Sequence, residues 1–203
     1  NRWASTFKAF SKYAFTEAHV LEVGGWSEVS SFLSLQGSFV STTSGNLCYP
    51  LDELGDNAFD VVLCLEVIEH IKDQADSLPL DVFNQSGAAC LVSEMFRSLK
   101  PGGVAVCTTP NGNSYAQIAR IGRDEMPSFH RGHVREYTVY ELCSLFEGQG
   151  FVTISKETPA GIWEPNPDLN IEAARNYVQA IGGSTDFREE DIVTVFRKPD
   201  RAR

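Results

Sequence analysis

The sequence predicts a single α/β domain over residues 1–203, and three observations predict it. Short apolar, β-branched runs alternate along the chain with longer stretches whose apolar residues recur at helical spacing. A glycine pair, Gly24-Gly25, closes the first strand-like run and opens the first helix-like one. Hydrophobic residues at 42% and charged residues at 22% of 203 are the composition of one folded domain with one core.

Taken in order, Trp3, Phe7 and Phe10 fall at helical spacing and predict a short amphipathic helix that packs on the core or covers the mouth of a site. His19 to Val23 reads as the first strand. After Gly24-Gly25-Trp26-Ser27 a helix is predicted through Leu35, with Val29, Phe32 and Leu33 on one face. Ser38 to Thr42 reads as the second strand and Asp60 to Leu65 as the next. Ser38 to Phe59 spans only 22 residues. A complete strand-helix-strand unit takes ~30 or more, so a helix, a strand or both must be missing there. Ala88, Leu91, Val92, Met95, Phe96 and Leu99 form one helix face, stopped by Lys100-Pro101-Gly102-Gly103. Val104 to Thr108 is a strand ended by the turn chemistry of Thr109-Pro110-Asn111-Gly112. Thr138 and Glu141 form a capping box that starts a helix running to Gly148. Phe151 to Lys156 and Ile192 to Arg197 read as an antiparallel pair, separated by a partly helical excursion through Ile171, Ala174, Tyr177, Val178 and Ile181. Residues 112–132 and 158–170 read as irregular, substrate-covering loops.

Lys+Arg 17 against Asp+Glu 27 leaves a net charge of −10. That mean field repels phosphate backbones and anionic membrane surfaces, so nucleic acid is disfavoured as a partner. No apolar run approaches the ~20 residues that cross a bilayer. Five widely spaced cysteines without metal-type pairing fit a reduced, cytoplasmic compartment. The chain starts at Asn1 with neither Met nor a basic-then-apolar leader, and reads as a processed or excised segment. A homodimer is compatible with these features.

Four blocks stand in order: Val20-Leu21-Glu22-Val23-Gly24-Gly25, Phe59 to His70 (FDVVLCLEVIEH), Leu99-Lys100-Pro101-Gly102-Gly103, and Thr109-Pro110-Asn111. Together they resemble the class I S-adenosylmethionine (SAM)-dependent methyltransferases over roughly residues 18 to 156. The resemblance implies a Rossmann-like, doubly wound, mostly parallel sheet with a reversed last strand, here shortened to about six strands. It places SAM across the carboxyl ends of the first strands, with Glu22, Gly24 and Gly25 beside its methionine end and Cys64, Leu65 and Glu66 beside its ammonium and reacting methyl. Trp26 and Glu28 replace further family glycines, which predicts that the Trp26 ring occupies space the cofactor needs. The acidic residue that in the family follows the second strand and holds the ribose hydroxyls has no counterpart in Ser41 to Asn46. Thr42 or Thr43 would have to substitute through a hydroxyl. Candidates for the adenine edge lie in Leu47 to Leu51.

If the chain turns helical after the strand ending at Leu65, then Glu66, Glu69 and His70 share one face. Two carboxylates and an imidazole suit Mg or Mn. With the later His133-x-x-Glu136-Tyr137-Thr138, this pattern resembles metal-dependent small-RNA 2′-O-methyltransferases. That resemblance implies Glu66, Glu69, His70 and His133 as metal ligands. A Glu-His pair at this place also resembles ubiquinone-type and sugar O-methyltransferases, in which His70 would act as general base. The third reading is structural, with Glu69 and His70 bonding a loop. His130 and His19 carry no signal.

The expected function is transfer of the SAM methyl to a hydroxyl, or an amine, of a small-molecule, sugar or lipid-precursor acceptor. Glu69, His70 and His133 are the catalytic candidates. Two alternatives stay open: a non-catalytic binding or structural module on the same fold, and a metal-dependent RNA 2′-O-methyltransferase. Against RNA, the cations Arg120, Arg123, Arg131 and Arg135 are interleaved with Asp124, Glu125 and Glu136, and no aromatic platform stands among them.

Overall fold

The first strand is buried at almost every position because both of its faces are covered, as expected of a strand inside a parallel sheet. In β1 (His19–Val23), every residue after His19 is buried. The computed structural model describes residue 4 and residues 6–8, 16–75, 85–126, 128–160 and 166–200. The elements after β1 are α1 (Glu28–Leu35), β2 (Phe39–Thr43), β3 (Phe59–Leu65), a 3₁₀ turn (Ile68–His70), α2 (Ser86–Ser98) and β4 (Leu99–Pro110). They continue with α3 (Tyr115–Ile121), α4 (Val139–Gly148), β5 (Val152–Glu157), α5 (Ile171–Ala180) and β6 (Asp191–Arg197).

Among the described residues six strands form one sheet in the order β2-β1-β3-β4-β6-β5. β1 is parallel to β2 and β3, and β3 to β4, while β6 runs antiparallel to both β4 and β5. The reversed last strand and the reduced strand number are both as expected. Residues 44–58 contain neither helix nor strand, so the short connection has lost both.

Helices cover both faces. α2 and α4 bury Leu91, Val92, Met95, Leu142 and Phe146 against one face, where the Phe146 and Phe196 rings stack at 4.0 Å. α1 buries Val29 and Leu33 against the other, with Phe7 from the chain's start resting edge-on against Phe32 at 4.5 Å. Trp3 and Phe10, the other residues of the expected first helix, lie outside the described residues. A third, smaller cluster off the sheet joins α3 to α5 through Tyr115, Ala174 and Val178.

Two boundaries differ from expectation. Leu99 begins β4 instead of closing the preceding helix, because it pairs with Phe59 across the sheet and the strand runs on through Pro101 and Gly102 with a register shift. Within residues 112–132, expected to be irregular, α3 forms, capped by the Ser114 hydroxyl, which accepts from the Gln117 amide at 3.2 Å.

Candidate active site

The turn after β1 is built by three residues with distinct tasks. Gly24 has φ +91°, and a Cβ there would lie 2.5 Å from Val67 Cγ2, so both conformation and space require glycine. Its amide donates to the Thr43 carbonyl at 2.7 Å, joining the ends of β1 and β2. Ser27 caps α1, its hydroxyl accepting from the Val29 amide at 3.1 Å. Glu22 is 3% exposed, and its carboxylate accepts from the Ser27 amide at 2.9 Å and from the Ser30 hydroxyl. Glu22 therefore braces the turn from below, using the positive end of α1.

Above this turn, at the carboxyl ends of β1, β2 and β3, lies a cavity of about 390 Å³. Its walls are Gly24, residues 44–48, Glu66, Val67 and residues 70–72. It sits where the chain departs from β1 to either side, the switch point at which doubly wound sheets take ligands. Of the expected cofactor residues Gly24, Leu47, Cys48 and Glu66 line it, while Glu22, Gly25, Trp26, Thr42, Cys64 and Leu65 do not. Trp26 is 55% exposed and donates its indole N–H to Ser31 Oγ at 2.7 Å, so its ring packs along α1 and is not part of the cavity wall. Cys64 and Leu65 are core residues, Cys64 paired in register with Cys107. Thr42 is exposed, whereas its neighbour Thr43 is buried.

Beyond β3 the chain makes a 3₁₀ turn where an α-helix was considered, after Glu66 adopts a left-handed conformation with φ 57°. Glu69 and His70 stay together, with Glu69 Oε1 4.0 Å from His70 Nε2, while Glu66 falls outside the group they form. Both Glu66 carboxylate oxygens are buried, and the residue belongs to the cavity wall. Glu69 is 1% exposed, and Thr109 Oγ1 donates to its Oε2 at 2.9 Å. His70 faces the opening, its Nδ1 3.0 Å from the Gly132 carbonyl oxygen.

The later histidines come back to this point because the Val134 amide donates to the Glu69 carbonyl at 2.7 Å. Ligand atoms of Glu69, His70 and His133 then lie within 4.8 Å of one another. Glu66 is not in this group, a correction to the four-residue metal set, and the left-handed turn is the reason. His133 Nδ1 is 2.8 Å from Glu136 Oε1, with only 6% and 4% of the two side chains exposed. Glu136 is held in turn by the Gln117 amide group and the Phe129 main chain. His130, which no spacing rule singled out, joins the cluster with its ring 5.5 Å from His133 and 6.3 Å from His70.

Burial, followed by the nearby Glu66 charge, pushes the Glu69 carboxyl up to about 8. A proton-holding carboxyl, two neighbouring histidines and an adjoining cavity make a site suited to proton transfer from a bound acceptor.

Comparison with known proteins identifies the fold. The chain matches the methyltransferase domain family over residues 1–156. It belongs to the class I SAM-dependent methyltransferases. A Mycolicibacterium smegmatis protein described as a probable SAM-dependent methyltransferase is 38% identical over 98 residues, which is 48% of this chain and 30% of that protein. This methyltransferase thus matches less than a third of that relative's length. Among solved structures, an Archaeoglobus fulgidus SAM-dependent methyltransferase superposes with a TM-score of 0.61 at 15% identity, covering 98% of this chain and 95% of its own. The Burkholderia thailandensis 1,6-didemethyltoxoflavin-N1-methyltransferase, solved with 1,6-didemethyltoxoflavin and S-adenosylhomocysteine, gives 0.58 at 14% identity, covering 98% and 79%. A Haloferax volcanii methyltransferase in complex with the Trm112 activator gives 0.62 at 15%, covering 100% and 91%. At these identities the structures share the fold with this chain. No helix among the described residues is long and apolar enough to cross a membrane.

Proposed function

We propose that this methyltransferase transfers a methyl group to a hydroxyl, or an amine, of a small-molecule, sugar or lipid-precursor acceptor. The observation that carries this reading is that His70 belongs both to the wall of the 390 Å³ cavity and to the group it forms with Glu69 and His133. An acceptor at the cavity mouth thereby meets a proton acceptor beside the ligand pocket. SAM bound there supplies an electrophilic methyl on a sulfonium.

The residues present fit that ligand. Gly24 admits its close approach, the Glu66 carboxylate matches its ammonium, and Leu47 and Cys48 offer wall to its adenine. The chain's own work is to align the two reactants, shut out water with the loop carrying His130 and His133, and take the acceptor proton at His70 or His133. A divalent Mg or Mn would be held by Glu69, His70 and His133, where it would lower the acceptor's pKa. Between α3 and α5 an apolar cavity of about 570 Å³, lined by Ile118, Ile121, Ala174 and Tyr177 among others, would suit the hydrocarbon part of a lipid precursor.

The test is calorimetric titration of SAM and S-adenosylhomocysteine, with Mg, with Mn and with chelator, alongside labelled methyl transfer to hydroxyl-bearing small molecules. Micromolar binding and transfer, lost in His133→Ala, are expected. Absence of binding under every condition would overturn the reading in favour of a non-catalytic module on the methyltransferase fold.

A further inference from the structure

The loop that carries His130 and His133 fixes the imidazoles of the cluster through specific partners. The His133 amide donates to the His130 carbonyl at 3.1 Å, and the Gly132 peptide between them is used on both sides. Its N–H donates to His130 Nδ1 at 3.0 Å, and its carbonyl oxygen lies 3.0 Å from His70 Nδ1. A carbonyl only accepts and a main-chain N–H only donates. The neutral His70 ring therefore carries its proton on Nδ1 and keeps the lone pair on Nε2. The neutral His130 ring is the opposite tautomer, with Nδ1 accepting and the proton on Nε2.

For His133 a carboxylate makes the choice. Glu136 Oε1, 2.8 Å from His133 Nδ1, also accepts from the Phe129 amide, while Glu136 Oε2 accepts from the side chain of Gln117 on α3. Gln117 is itself fully buried. Its amide group and the Phe129 N–H use the carboxylate as an acceptor, and it accepts from the ring in the same way, so Nδ1 donates. The His133 and Glu136 side chains are almost wholly buried, which keeps water from taking over the carboxylate's place. The two ring nitrogens stand on opposite edges of the imidazole, and the hydrogen bond at one decides what the other can do.

We propose that Glu136 is a positioning residue for methyl transfer, holding His133 as its Nδ1–H tautomer so that the Nε2 lone pair is presented to the acceptor. The inference rests on the proposed function and deepens it. A carboxylate behind His133 steadies the imidazolium that forms there, whereas His70 Nδ1 meets only a neutral carbonyl. His133 Nε2 thus receives the acceptor's proton as the acceptor atom bonds to the methyl carbon. The carbon–sulfur electron pair stays on sulfur, S-adenosylhomocysteine leaves, and the ring returns its proton to solvent.

The experiment is nitrogen NMR of the histidine rings at alkaline pH with chelator, on the wild-type chain, Glu136→Leu and Glu136→Asp. Calorimetric titration of S-adenosylhomocysteine and labelled methyl transfer to hydroxyl-bearing small molecules accompany it. In the wild-type chain His70 and His133 are expected as Nδ1–H rings and His130 as an Nε2–H ring, so one spectrum holds both patterns. In Glu136→Leu, His133 should lose its fixed Nδ1–H form and transfer should fall about a hundredfold, with S-adenosylhomocysteine affinity unchanged. Glu136→Asp keeps a carboxylate and should recover part of both. A wild-type His133 in the Nε2–H form, or a Glu136→Leu ring still held as Nδ1–H, would overturn the inference and leave the proposed function standing. Should Glu136→Leu fail to fold, the wild-type spectrum decides by itself. A wild-type chain that binds no S-adenosylhomocysteine would overturn the proposed function, and this role of Glu136 with it, whichever tautomer is seen.

Discussion

Glu69 has been taken almost wholly out of water, and the consequence is a stability that depends on pH. Its folded carboxyl titrates at about 8 against an ordinary value of 4.5. Between those values the folded chain keeps a proton that the unfolded chain has released, so stability falls as pH rises from about 4.5 to about 8. Glu69→Gln should remove that slope and stabilise the chain at pH 7 by up to about 3 kcal/mol, since the glutamine oxygen still accepts from Thr109. Denaturant unfolding at pH 5 and pH 8, with chelator present, checks it, and parallel slopes for both chains would contradict the expectation. At this scale the sequence showed the Glu69-His70 pair and the later His133, because their chemistry is written in residue type and spacing. It did not show that Glu66 stands outside the group of Glu69, His70 and His133, since that follows from one left-handed residue, nor that Trp26 lies along α1 on Ser31.

The helix α4 illustrates an element whose start is decided locally. The Thr138 hydroxyl accepts from the Glu141 amide at 3.2 Å while the Glu141 carboxylate accepts from the Thr138 amide at 2.9 Å, the reciprocal box its sequence predicts. Removing the cap with Thr138→Ala should cost about 1 kcal/mol, a fall of about 2–4 °C in Tm for a chain of this size. Thermal unfolding reads it directly, and an unchanged Tm would mean that tertiary packing alone fixes this helix end. α3 escaped the sequence reading because seven residues are too few to show a helical period, although Ser114 and the run Tyr115 to Ile121 carried its cap and its helix formers. The boundary at Leu99 was misplaced for the opposite reason. The apolar period includes it, but pairing with Phe59 on β3 outweighs the local pattern.

For the whole molecule, the net charge of −10 sets the terms on which large anions meet the surface. Three of the four arginines weighed as phosphate contacts are engaged elsewhere: Arg123 pairs with Glu125 at 2.7 Å, Arg135 with Glu141, and Arg120 lies over the Phe129 ring at 5.1 Å. Short single-stranded RNA at low salt should therefore bind no tighter than micromolar in a filter assay. Sub-micromolar affinity with a steep salt slope would make RNA the leading acceptor. The sheet itself was legible in advance, including its reversed last strand and the strand missing between β2 and β3. Strand alternation, glycine turns and the length of a connection are properties of neighbouring residues. What the fold alone decided is which distant groups meet. Glu53 reaches Thr43 because Glu94 and Arg97, more than forty residues along the chain, hold its loop. His130 and His133 reach His70 through a main-chain bond to Glu69. Such encounters are fixed by the packing of elements far apart in sequence, and no local periodicity encodes them.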